Sequence, residues 1–129
     1  MSLKQVRAPR DKYDIYVVAD NCTDHTAQVS RDNGAIVYER FNKEEVGKGY
    51  ALNYLYTKVS SLKGRKYYDA FVVFDADNIV DPAFLKESNK KLASGKYDAF
   101  TTYRNSKNFG TNWLSAAYSF WFLHEATFL

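Results

Sequence analysis

The chain has 129 residues, which fits one domain and hardly more, and its 46% apolar and 26% charged residues are ordinary for a soluble globular fold. A net charge of +3, from 18 basic and 15 acidic residues, is too small and too mixed for the basic stripe of a nucleic-acid-binding protein. The single cysteine, Cys22, excludes an internal disulfide and favours a reducing, cytoplasmic setting, and no apolar run reaches the roughly eighteen residues that span a bilayer.

Residues Lys4–Lys12 are basic, with Pro9 among them, and form a loop or a fraying helix end. Ile15-Tyr16-Val17-Val18-Ala19 is a continuous β-rich run, the mark of a strand buried on both faces. It ends in Asp20-Asn21-Cys22-Thr23-Asp24, where Thr23 or Asp24 caps a helix over residues 25–33 that Gly34 stops. Ala35–Tyr38 is a second short strand. A charged loop, Arg40–Lys48, closes on Gly47-Lys48-Gly49. Leu52, Leu55, Val59 and Leu62 then recur at helical spacing and predict an amphipathic helix over 50–62. Ala70-Phe71-Val72-Val73-Phe74 is the strongest strand signal in the chain and runs straight into Asp75-Ala76-Asp77-Asn78. Asp81-Pro82 starts a further helix, with Pro at its first position, and Gly95 ends it. Ala99–Tyr103 is a further expected strand, and the aromatic stretch Trp113–Leu129 is expected to be helical.

The predicted order is β-α-β followed by α-β-α-β, an α/β domain with a mainly parallel sheet flanked by helices. Ligands of such sheets sit beyond the carboxyl ends of the strands. Two expected strands end there in carboxylates, Asp20 after the first and Asp75 with Asp77 after the third.

Asp75 and Asp77 are hard oxygen donors one residue apart, suited to Mg²⁺ or Mn²⁺. A metal held by one or two carboxylates keeps positions open for water and a diphosphate, whose departing charge it neutralises. The competing role for the pair is a helix cap or a solvated turn. Ile79 stands where a third oxygen ligand of a calcium loop would fall. Asp20 leaves the strand directly and can accept hydrogen bonds from a base or ribose, or can instead belong to an Asx turn. The Gly47-Lys48-Gly49 backbone can approach a phosphate that Lys48 neutralises, yet it lacks the first glycine and the Ser/Thr of a P-loop. His25 and His124 have no partner at ligand spacing. The eleven Tyr, nine Phe and two Trp can stack sugars or bases, but core packing is their commoner use.

Together these segments resemble family 2 glycosyltransferases. Val17-Val18-Ala19-Asp20-Asn21-Cys22-Thr23-Asp24-His25-Thr26 is similar to the family's V-V-D-D-x-S-T-D-x-T. Gly47-Lys48-Gly49-Tyr50-Ala51-Leu52-Asn53 matches G-K-G-x-A-L-N, and Phe74-Asp75-Ala76-Asp77 matches the metal-binding Asp-x-Asp. The resemblance covers Tyr13 to Asp98 and, more loosely, the Trp113 region. It implies a nucleotide-diphospho-sugar transferase fold, GT-A and Rossmann-like, incomplete over 1–129. It implies a nucleotide-diphosphate sugar donor, most often a UDP-sugar, and inversion at the anomeric carbon. By position, Asp20 would contact the base, Asp75 the ribose or the metal shell, Asp77 the metal, and Lys48 the phosphates. The acceptor would be a glycan or a lipid-linked sugar, in cell-envelope or extracellular polysaccharide synthesis, with the parent protein at the cytoplasmic face of a membrane.

The family's first strand, ending in a Pro-x-Tyr-Asn-Glu-like turn, is not matched, and its general base falls past Leu129. The resemblance therefore implies a partial domain that binds donor without transferring sugar, and that either pairs with another chain through an open sheet edge or shifts its strands to close the gap. A receiver-like phosphoacceptor would need a late lysine that no residue here supplies. A haloacid-dehalogenase-like phosphatase would continue its Asp-x-Asp with Thr or Val, where Asn78 and Ile79 stand. A non-catalytic interaction module would keep the fold without turnover.

Overall fold

The computed structural model describes residues 6–104 and 110–128, which fall into two compact units, Met1–Lys86 and Glu87–Leu129.

The first unit is built on a βαβ crossover. Strand β1 (Tyr16–Asp20) leads through helix α1 (Thr26–Asp32) to strand β2 (Ile36–Arg40). The two strands pair in parallel, in register from Tyr16 opposite Ile36 to Asp20 opposite Arg40. As expected, Asp24 prepares the helix: its carboxylate accepts the Thr26 N–H at 2.9 Å. Hydrogen bonding to Thr26 holds that carboxyl below its usual range. Gly34 ends α1 in the left-handed region at φ 83°. Helix α2 (Lys48–Lys63) opens on Gly47 and closes on Gly64, and it packs against β1. Ala51 and Val59 form its buried contacts, whereas Leu62, expected on that face, is 68% exposed. Asp81 starts the chain into α3 (Phe84–Ala93), accepting the Ala83 N–H at 2.7 Å and the Phe84 N–H through its carbonyl at 3.0 Å, but Pro82, expected at the first helical position, lies in the turn before it.

The buried apolar side chains are small or medium: Val6, Ile15, Ala19, Ala27, Ala35, Ala51, Val59 and Val80. Aromatics supply the bulk around the start of the sheet. Tyr16 stacks on Tyr38 at 6.4 Å between centroids, Tyr68 meets Tyr16 edge-on at 6.1 Å, and Phe71 meets Tyr68 at 5.7 Å and Tyr56 at 5.3 Å. The Tyr68 hydroxyl donates to Asp14 and lies 2.7 Å from that of Tyr16. Six aromatics thus pack on one another, Tyr67 against Tyr68 included, but none is buried and Tyr56, Tyr67 and Phe71 are about half exposed, so they form a partly open cluster rather than the core packing expected.

Two expected strands do not form. Residues 70–74 are unpaired, with Phe71, Val72 and Val73 50%, 46% and 55% exposed, and residues 99–103 are likewise outside any strand. β-branched and aromatic residues favour extended backbone, but a strand exists only where a neighbour supplies its ladder. Among the described residues no backbone lies in hydrogen-bonding register with 70–74. The segment is instead held through side chains, by Tyr68 to Asp14 and by Asp75 to Lys48. Among the described residues the sheet therefore has two strands, in the order β1-β2.

In the second unit, α3 runs on to its stop at Gly95, φ 64°, with a Lys90–Glu87 ion pair at 2.8 Å along its surface. Helix α4 (Trp113–Phe128) is capped by Asn112, whose side-chain oxygen accepts the Ser115 N–H at 2.9 Å. Trp113 and Trp121 are 80% and 65% exposed. Among the described residues no helix is long and apolar enough to cross a membrane.

Candidate functional site

The carboxyl ends of β1 and β2 carry the first cluster. The parallel register sets Asp20 beside Arg40 on the last rung. Arg40 Nη1 donates to Asp20 Oδ1 at 2.7 Å, and the two side chains are 6% and 19% exposed. Arg40 Nη2 donates to the Glu45 carbonyl at 2.8 Å and to its carboxylate at 3.3 Å. Bonding to Asp20, outweighing the cost of burial, pushes the guanidinium pKa above its ordinary value.

Asn21 fastens the two strand ends together. Its backbone N–H donates to the Arg40 carbonyl at 2.7 Å. Its side chain exchanges two bonds with the Asn42 backbone, both at 2.9 Å. It does so at φ 54°, a left-handed conformation that Asn tolerates better than most residues. The Asn42 side chain in turn accepts the Glu44 and Glu45 N–H groups at 2.9 and 3.0 Å. The turn that follows β2 is thereby fixed as far as Glu45, three residues before Lys48.

The second cluster joins the other two motifs. Lys48, the first residue of α2, pairs with Asp75, both side chains being substantially exposed. Residues separated by 27 positions are so brought into contact. Asp75-Ala76-Asp77-Asn78 is a turn closed by the Asn78 N–H to the Asp75 carbonyl at 3.0 Å. Asn78 Oδ1 accepts the Asp75 N–H at 3.2 Å, and its amide donates to Asp77 Oδ1 at 3.2 Å. Asp77 is exposed on this turn.

Lys48 therefore meets Asp75, Asp20 is tied to Arg40, and Asp77 stands on the Asp75 turn. Segment 40–48 holds Asp20 at one end and Asp75 at the other. Arg40 is the residue that sequence reasoning passed over, as the start of a charged loop. A signal for it was present: Ile15–Asp20 and Ala35–Arg40 are runs of equal length, and in a parallel pair their last residues fall abreast.

The donor set fits a hard divalent cation held in part by its substrate. Among the described residues no three His, Cys, Asp or Glu side chains gather as ligands. Asp75 and Asp77 are the two carboxylates that would hold such a cation, with its other positions left to water and phosphate oxygens, although Asp75 is here paired with Lys48. A cavity of about 370 Å³ lies elsewhere, lined by Arg10, Tyr13, Asp32, Asn33 and Gly34. These residues precede β1 and β2, so that hollow is at the opposite edge of the sheet from Asp20.

No solved structure matches the chain. A curated relative, "Glycosyltransferase AglD" of Haloferax volcanii, is 30% identical over 100 residues, covering 74% of this chain. The matched region is 15% of that protein's length. The family model described as glycosyltransferase like family 2 matches residues 1–128, and the chain belongs to this family.

Proposed function

We propose that the chain carries the donor-binding part of an inverting glycosyltransferase whose donor is a nucleotide-diphosphate sugar, specifically a UDP-sugar. The observation that carries this reading is the Lys48–Asp75 contact, which joins the glycine-flanked lysine to the Asp-x-Asp turn. A diphosphate needs both halves of that pair. Lys48 stands on the first turn of α2, where backbone N–H groups and the helix dipole favour an anion. Asp75 and Asp77 would hold Mg²⁺ or Mn²⁺, which supplies charge neutralisation at the departing phosphate. Asp20, at the end of β1, accepts a hydrogen bond from the base. The acceptor is a glycan or lipid-linked sugar in envelope or extracellular polysaccharide synthesis, met at the cytoplasmic face of a membrane.

The test is calorimetric titration of the chain with UDP, with and without Mn²⁺, beside Asp77→Ala. Binding that needs Mn²⁺ and weakens at least about tenfold in the variant is expected, the loss of one charge-assisted contact. Binding indifferent both to metal and to Asp77 would remove the metal-bridged diphosphate from the reading.

A further inference from the structure

In the folded chain Asp75 and Asp77 each hold a donor of the chain's own. Asp75 holds the ammonium of Lys48. Asp77 holds the side-chain amide of Asn78 at 3.2 Å, and the Asn78 oxygen accepts the Asp75 N–H at 3.2 Å. The two donors differ in kind. The amide is neutral and leaves Asp77 its charge, whereas the ammonium cancels the charge of Asp75.

A carboxylate takes several contacts, so the obstacle to a cation at Asp75 is charge and not room. An ammonium and a divalent cation on one carboxylate face each other as like charges, and each weakens the hold of the other. Lys48 is thus a competitor for Asp75 that the chain itself supplies. It is a weak competitor, because the two side chains are 61% and 46% exposed and such pairs are screened by water and salt. Its ammonium rides on a flexible four-carbon stem, free to swing without moving α2. Lys48 also stands on the first turn of α2, where backbone N–H groups favour an anion. A diphosphate carries more negative charge than one carboxylate, so it draws the ammonium off Asp75. Asp75 regains its charge as the diphosphate arrives with oxygens of its own for the cation.

We propose that Lys48 makes cation binding conditional on the donor: it shields Asp75 from a free divalent cation and yields it once a diphosphate takes the ammonium. The proposal rests on the donor-site reading above and deepens it, naming how the two ligands are coupled. Such coupling is reciprocal, so the cation raises the affinity for the diphosphate by the same factor.

The test measures Mn²⁺ alone, by electron paramagnetic resonance of the free ion, and UDP in the presence of Mn²⁺, by calorimetry. It uses the wild-type chain, Lys48→Met, Lys48→Arg, Asp75→Asn and the double variant Lys48→Met with Asp75→Asn, each checked for fold by circular dichroism. Lys48→Met is expected to bind Mn²⁺ alone about two- to fivefold more tightly than the wild type, the worth of an exposed ion pair. The same variant is expected to bind UDP with Mn²⁺ more weakly, because the diphosphate has lost its ammonium. Lys48→Arg keeps a cationic partner for Asp75 and is expected to stay near the wild type for Mn²⁺ alone. Removing a positive charge also favours a cation at a distance, and the double-mutant cycle separates that effect. In the Asp75→Asn background the change at Lys48 is expected to bring a smaller gain. No gain for Mn²⁺ alone in a folded Lys48→Met, or an equal gain in the Asp75→Asn background, overturns the competition and leaves the donor site standing. Failure of the wild type to bind UDP in the presence of Mn²⁺ overturns the donor site and this proposal with it.

Discussion

Tyr68 shows how a single side chain is committed by its surroundings. Burial first, then its bonds to Asp14 and Tyr16, push its hydroxyl well above the ordinary tyrosine range. The folded chain thus favours the protonated phenol. Its contribution to stability is whole below the unfolded tyrosine value of about 10 and is lost as pH rises beyond it. In a tyrosinate absorbance titration, one of the eleven tyrosines is expected to ionise only as the chain unfolds. Tyr68→Phe should abolish that late step and flatten the alkaline fall in denaturation midpoint, at a cost of about 1 kcal/mol at neutral pH for the lost hydrogen bonds. An unchanged alkaline profile would show that the hydroxyl is not held as described.

At the scale of the element, the start of α2 separates two glycines that look alike in sequence. Gly47 lies at φ 127°, ψ 163°, a region essentially closed to residues with a Cβ, although a Cβ there would meet no atom within 4 Å. Gly49 sits inside the helix, also with open space around it. Gly47→Ala is expected to cost about 1–3 kcal/mol through backbone strain alone. Gly49→Ala should stabilise the helix by about 0.5–1 kcal/mol. Thermal melts of the two variants check this, and equal shifts of the same sign would contradict it.

The contrast marks what the sequence could reveal. Helix limits were legible because Asp24, Gly34, Asp81 and Gly95 act on their own few neighbours. The pairing of Lys48 with Asp75 was legible only as a shared destination of two motifs. The strand status of residues 70–74 was not legible, because Phe71, Val72 and Val73 specify an extended backbone but not the neighbour that would make it a strand. Arg40 was hidden for a related reason: its partner is set by the register of β1 against β2, which no local pattern states.

At the scale of the whole molecule, many large apolar side chains among the described residues are exposed. No large side chain is fully buried among the described residues, and Val72, Val73 and Phe71 are about half exposed beside unpaired backbone. Such a surface favours association. Sedimentation velocity is expected to show weight-average mass rising with concentration, and Val72→Lys, a charge set on the open segment, should reduce that rise. A wild-type chain that stays monomeric across the micromolar range would show that this surface does not self-associate.

The shared last rung of β1 and β2 also governs how the chain tolerates changes in length. Residues 65 and 66 lie at the tip of the turn between Gly64 and Tyr67, and additions there leave every rung of the sheet in place. One residue added within Ile36–Arg40 is different: it turns each following side chain to the other face and carries Arg40 past Asp20. Descendants of this chain are therefore free to lengthen at residues 65 and 66, while the spacing from Ile36 to Arg40 is fixed by a guanidinium that must meet Asp20.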